Sequence, residues 1–156
     1  MNFTESLDRR LEDVKRPPVL PVGHYVCAVH KHPDLEDFES KKTGVTFDRV
    51  TFTMSVLSPH DDVDPEELAA YGNVSGKKLR HTYLFSRDPD DKANYERSIY
   101  NLKRFLSEHL GLSDDMAMNE ALAASVGAQC LIEVKHRPDP ENPEIVYDEA
   151  GRTAPL

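Results

Sequence analysis

Two alternating stretches hold the residues whose types and spacing could do chemistry. In the first, Phe47, Arg49, Thr51, Thr53 and Ser55 fall on one side of a strand-like run; in the second, Lys78, Arg80, Thr82 and Leu84 do the same, and no acid occurs between Lys77 and Arg87. An aromatic ring among guanidinium, ammonium and hydroxyl groups can stack a base, neutralise a phosphate and donate hydrogen bonds. Lys41, Lys42 and Lys77 flank these runs, and Lys135 stands outward on a later one. The expected nucleic-acid-binding set is therefore Lys41, Lys42, Phe47, Arg49, Thr51, Lys77, Lys78, Arg80, Thr82 and Lys135. Each residue alone also suits an ordinary solvated sheet, and only their combination points to a ligand.

Other chemistries find little support. No glycine-rich phosphate loop, Gly-x-Ser-x-Gly elbow, His-Glu-x-x-His or Cys-x-x-Cys occurs, so no catalytic residue is assigned and a non-enzymatic protein is expected. His24, His30 and His32 share one face of a strand and His136 lies far along the chain. His24 and His30 would stand about 20 Å apart at ~3.3 Å per residue, too far for one metal site. Segment 58–70 has five acids and no Lys or Arg, but Asp64-Pro65-Glu66-Glu67 reads as a cap, a proline and acids at a helix start. No metal or cofactor is expected. Cys27 and Cys130 each sit in an apolar alternation as small buried hydrophobes, which argues against a disulfide framework.

The elements that must position the candidate residues centre on Asp88 to Gly111. Asp88-Pro89 fits a cap with proline in the first turn, and Gly111 a left-handed stop. Between them Tyr95, Ile99, Leu102, Phe105, Leu106 and Leu110 recur at three- and four-residue spacing, while Arg97, Lys103 and Arg104 take the opposite side. Before this helix three strands are expected, at 24–32, 45–57 and 77–86. The core faces are Tyr25, Cys27 and Val29; then Val50, Phe52, Met54 and Val56; then Leu79, His81, Tyr83 and Phe85. Residues 33–44 read as a polar connection and 58–76 as an acidic insertion with a brief helix. After Gly111 a short helix from Ser113 to Ser125 leads to strands at 128–136, burying Cys130, Ile132 and Val134, and at 144–147.

The order β-β-β-α-β-β matches the OB-fold, a five-stranded barrel that binds single strands across its second and third strands. The expected class is mainly β with helices, an OB-like barrel over residues 17–148. A chain of 156 residues suits one such domain. Residues 1–16 form an expected amphipathic helix presenting Phe3, Leu7, Leu11 and Val14, and 149–156 a mobile tail. Neither a signal peptide nor a membrane span is read, so a soluble intracellular protein is expected. The net charge of −9 argues at first against nucleic acid, but segment 77–110 holds eight basic against five acidic residues, +3, leaving −12 elsewhere.

The chain also resembles a family of small bacteriophage proteins from early or replication gene clusters, described as uncharacterised or as single-stranded-DNA-binding. The resemblance covers about residues 18–137. It rests on Leu20-Pro21-Val22-Gly23-His24-Tyr25, Lys42-Thr43-Gly44, Val63-Asp64-Pro65-Glu66, Gly76-Lys77-Lys78-Leu79-Arg80, Leu102-Lys103-Arg104-Phe105-Leu106, and Val126-Gly127 leading to Ile132-Glu133-Val134-Lys135-His136. It implies an OB-like fold and binding of single-stranded DNA in phage replication or recombination, in the cytoplasm of an infected bacterium, beside other phage replication or recombination proteins. It assigns no contact residues. A homo-oligomer is expected from the terminal helix and exposed strand edges. The alternative is a phage structural or adaptor protein working through protein contacts alone.

Overall fold

The computed structural model describes residues 2–156. Among these, six antiparallel strands and three α-helices make a mainly β protein: β1 Gly23–Val29, β2 Asp34–Glu39, β3 Thr46–Pro59, α1 Pro65–Tyr71, β4 Lys78–Ser86, α2 Lys92–Arg104, α3 Met118–Ala124, β5 Gln129–Pro138 and β6 Val146–Ala154. The sheet runs β2-β3-β1-β5-β6, with β4 on the other edge of β3. β3 is the longest strand, so its first half pairs with β2 and its second half with β1, while β4 follows it from Phe47 to Ser55. The sheet is open: among the described residues no ladder joins β4 to β6, whose facing edges bound a cleft of about 650 Å³.

The inward faces are those the alternation predicts. Tyr25, Cys27, Phe52, Met54, Val56, Ile132 and Val134 are fully or almost fully enclosed. α2 lies over them, beginning after Asp88, whose carboxylate accepts from the Asp90 amide, and continuing through a wider turn at Phe105–His109 to Gly111, where φ is +77°. Leu102, Phe105, Leu106 and Leu110 face the sheet, and the Phe105 ring meets Phe52 at 4.9 Å and His81 at 4.8 Å. Burying such side chains stabilises by roughly 1.5–3 kcal/mol each, an upper bound relative to a compact unfolded chain. The insertion docks on β1 through His24, whose amide donates to Asp62 Oδ1 at 2.9 Å and whose carbonyl accepts from His60. Gly23 allows this approach, because a Cβ there would stand 2.6 Å from Val63 Cγ2. α1 starts on the Asp64 side chain and ends at Gly72, as its capping pattern predicts.

Four expectations are corrected. Residues 3–14 form two short 3-10 turns, Phe3–Ser6 and Leu11–Asp13, and not one helix, because no surface packs on them and an isolated helix under about 12–15 residues is marginal in water. The polar connection contains β2, a strand with four acids that forms because β3 offers it a pairing edge. The tail is not free: β6 continues to Ala154, pairing Ala150 with Val134 and Ala154 with Leu131. The helix expected from Ser113 begins only at Met118.

Candidate nucleic-acid interface

The outward face of β2, β3 and β4 is one continuous surface, because antiparallel pairing puts opposite residues on the same side. Across it the register sets Phe38 beside Phe47 beside Ser86, Glu36 beside Arg49 beside Leu84, and Thr53 beside Arg80. The Phe38 and Phe47 rings stack with centroids 5.7 Å apart and planes 18° from parallel. Arg49 lies over Phe38 at 4.9 Å and donates to Glu36 at 2.8 Å. Phe38, Glu36 and Arg49, with the Lys31–Asp34 pair, border an open groove of about 330 Å³ whose other wall holds Arg80 and Thr82; Phe47 lies behind Phe38, outside the lining.

Of the ten residues expected from sequence, six share this face: Phe47, Arg49, Thr51, Lys78, Arg80 and Thr82. Lys41 and Lys42 are exposed on the turn between β2 and β3, beyond the aromatic pair. Thr51 is in the outward row yet only 8 % exposed, since it sits on the central strand of three, with Asp34 on one side and Thr82 on the other. Two residues fall elsewhere. Lys77 pairs with Asp148 at 3.4 Å and ties the start of β4 to β6; Lys135, on β5, pairs with Glu133 at 3.2 Å. Phe38 and Glu36 were not foreseen. Their signal was the lone aromatic in an otherwise acidic stretch after Pro33, too weak in strand-forming residues to mark an element.

The cations of this face differ in what they meet. Arg49 is neutralised by Glu36, and Lys78 donates to Ser55 Oγ and the Gly76 carbonyl. Arg80 is exposed and has no ion pair among the described residues. Arg87, one residue past β4, bridges Asp48 at 2.6 Å and Asp37 at 3.1 Å; its hydrogen bond holds the Asp48 carboxyl below the usual carboxylate range. On the helix, Arg104 is held by Glu108 and Arg97 by Asn94, so the basic side of α2 is partly occupied.

The histidines are dispersed. His24 Nδ1 contacts Asp62 at 2.6 Å, His32 Nδ1 contacts the Pro33 carbonyl, and His136 Nε2 contacts the Leu20 carbonyl at 2.7 Å. Among the described residues no group of three His, Cys, Asp or Glu side chains is placed to hold a metal ion. Cys27 and Cys130 stand opposite each other on β1 and β5 as free, enclosed thiols, each pushed up to about 12 by burial. No helix among the described residues is long and apolar enough to cross a membrane. No protein-family model matches the chain, and no curated protein matches it either.

Proposed function

We propose that this protein binds single-stranded DNA without catalysis, and that its fold is of the OB type. The strand order supports the fold: β1 between β3 and β5, β4 beyond β3, β6 beyond β5, α2 between β4 and β5, and β4 and β6 edge to edge. In this reading β1 and β2 are one long first strand broken at His30–Pro33, which lets β3 pair with both. The single observation that carries the function is the outward face on which Phe38, stacked on Phe47, lines one groove with Arg49 and the unpaired Arg80.

Bases would stack on the free edges and faces of the aromatic pair, a contact worth about 1–3 kcal/mol per base, while Arg80, Lys78, Lys41 and Lys42 follow the backbone and the threonine hydroxyls hydrogen-bond to it. The face runs about 26 Å along β4 at ~3.3 Å per residue, in keeping with a site of a few nucleotides. Nothing on it selects a base edge, so binding is sequence-tolerant. The remaining acidic surface repels phosphate and orients the strand toward this side. The resemblance to phage early and replication proteins supports reading this activity as part of DNA replication or recombination in an infected bacterial cell.

Titration of a fluorescent thirty-residue oligo(dT) at low and moderate salt, beside a duplex of equal length, tests the reading. Binding should favour the single strand, fall steeply with salt, and weaken on Arg80→Ala and Phe38→Ala. No binding to the single strand at low salt would overturn it and leave the alternative of a phage structural or adaptor protein.

A further inference from the structure

The N-terminal segment and one groove each expose apolar surface that nothing in the same chain covers. Phe3, Leu7, Leu11 and Val14 are all exposed, Leu11 at 91 %, and they recur at four, four and three residues, so a helix would align them as one stripe. The groove, about 500 Å³, lies between the inner face of β2 to β4 and helices α2 and α3. Leu35, 60 % exposed, with Tyr95 and Met118 forms its rim; Val50, Phe85 and Leu122 form its floor. Its polar end holds Glu36, Asp37 and Asp48 against Arg49 and Arg87, one acid in excess of the cations that pair with them.

We infer that residues 3–14 of one copy fold into a helix in this groove of a second copy, joining protomers. A short segment that cannot hold a helix alone gains one when its apolar stripe is buried, and anchors at three- and four-residue spacing are how helices occupy such grooves. Arg10, three residues after Leu7 and four before Val14, would lie along the stripe and face the acidic end. The chain's own groove cannot take the whole stripe. The arm leaves the domain where Arg16 stacks on Tyr147 at 4.5 Å and the Leu20 amide donates to Asp148, which also holds Lys77. That is one end of β4, whereas the groove lies at Phe85 and Arg87, about 23 Å further along the strand at ~3.3 Å per residue. Val14 is two residues from this anchor and can travel only about 7 Å from it, so a helix over residues 3–14 could bring Phe3 to the groove's near edge but could not lay Leu7, Leu11 and Val14 in it. Arm and groove are different surfaces, so a contact made one way generates open chains or rings, whereas two copies that exchange arms reciprocally close a two-fold dimer.

The groove shares only Glu36 and Arg49 with the outward strand face, and the test uses no nucleic acid and no substitution at those two residues, so its failure and that of the DNA-binding reading are separable. Sedimentation velocity on the full chain from micromolar to high micromolar concentration should show mass growing to a dimer or beyond. Leu7→Glu with Leu11→Glu, or Leu35→Glu with Met118→Glu, should each give monomers, with unfolding midpoints close to the parent because these side chains are exposed. Mixed in equal amounts, the arm variant and the groove variant retain one competent surface apiece and should form dimers that stop there. A peptide of residues 2–16 should bind a chain lacking residues 1–16 and lose at least about tenfold in affinity to the groove variant. A full chain that stays monomeric throughout, or arm variants that associate like the parent, would overturn the inference.

Discussion

His81 is enclosed by aromatic rings: Tyr83 at 4.8 Å edge to face, with its hydroxyl 2.8 Å from Nε2, and Phe105 at 4.8 Å. Burial, with a smaller contribution from His109, pushes its pKa from 6.5 down to about 4. The unfolded chain therefore takes up a proton that the folded chain resists. The stability owed to the neutral ring is complete above pH 6.5 and is lost as pH falls toward 4, about 3 kcal/mol over that window. Urea unfolding of the parent and of His81→Gln, which keeps a hydrogen-bonding side chain and cannot titrate, should differ in pH slope between 6.5 and 4, the variant being flatter. Equal slopes would show that the ring is not what titrates. On the outward face, Phe38→Ala removes one ring of the stack and should weaken oligo(dT) binding by about 1–3 kcal/mol, whereas Thr51→Ser, on a side chain already covered by its neighbours, should change it little.

At the scale of elements, β6 and α2 hold the sheet in shape. β6 satisfies the outer edge of β5, and Asp148 at its start gathers the Leu20 amide and Lys77. Ending the chain at Asp148 strips the ladder opposite Leu131 to Lys135, and several net hydrogen bonds at about 0.5–1.5 kcal/mol each should go with it. Such a chain should unfold at least about 2 kcal/mol earlier in urea. An unchanged midpoint would restore the expectation of a mobile tail. Phe105 is the point where α2 enters the core, touching Phe52, His81 and Tyr83, so Phe105→Ala should cost about 3–5 kcal/mol. By contrast Asp64→Ala removes one cap bond of an exposed helix and should cost about 1 kcal/mol.

For the whole molecule, charge distribution decides how a ligand is approached. A chain of net −9 binds a polyanion only if its cations are gathered on one side and left unpaired there. Lys41, Lys42, Lys78 and Arg80 meet that condition, while Arg49, Arg87, Lys77 and Lys135 are committed to carboxylates. Four neutralised phosphates correspond to a slope of about −3 in log affinity against log salt for a single strand. Arg80→Ala should lessen its magnitude by about 0.7. A slope near zero, or one that Arg80→Ala leaves unchanged, would remove this face from consideration.

Local chemistry determined which residues point inward and where α1 and α2 start and stop. Alternation alone separated Val50, Phe52, Met54 and Val56 from Arg49, Thr51 and Thr53, because side chains on a strand change sides at every residue. Asp64 and Asp88 marked two helix starts, and Gly72 and Gly111 two stops, because caps act on backbone groups a few residues away. What the tertiary structure alone decided was partnership. β2 and the end of β6 are strands because neighbouring edges were free to pair with them, not because Asp-Leu-Glu-Asp-Phe-Glu or Glu-Ala-Gly-Arg favours extension. Phe38 and Glu36 joined the candidate face, and Lys77 left it for Asp148, through contacts between residues far apart in the chain. The spacing of residues within one segment says nothing about which other segment will lie against it, and it is that choice that left Arg80 unpaired beside the groove and residues 3–14 without a surface.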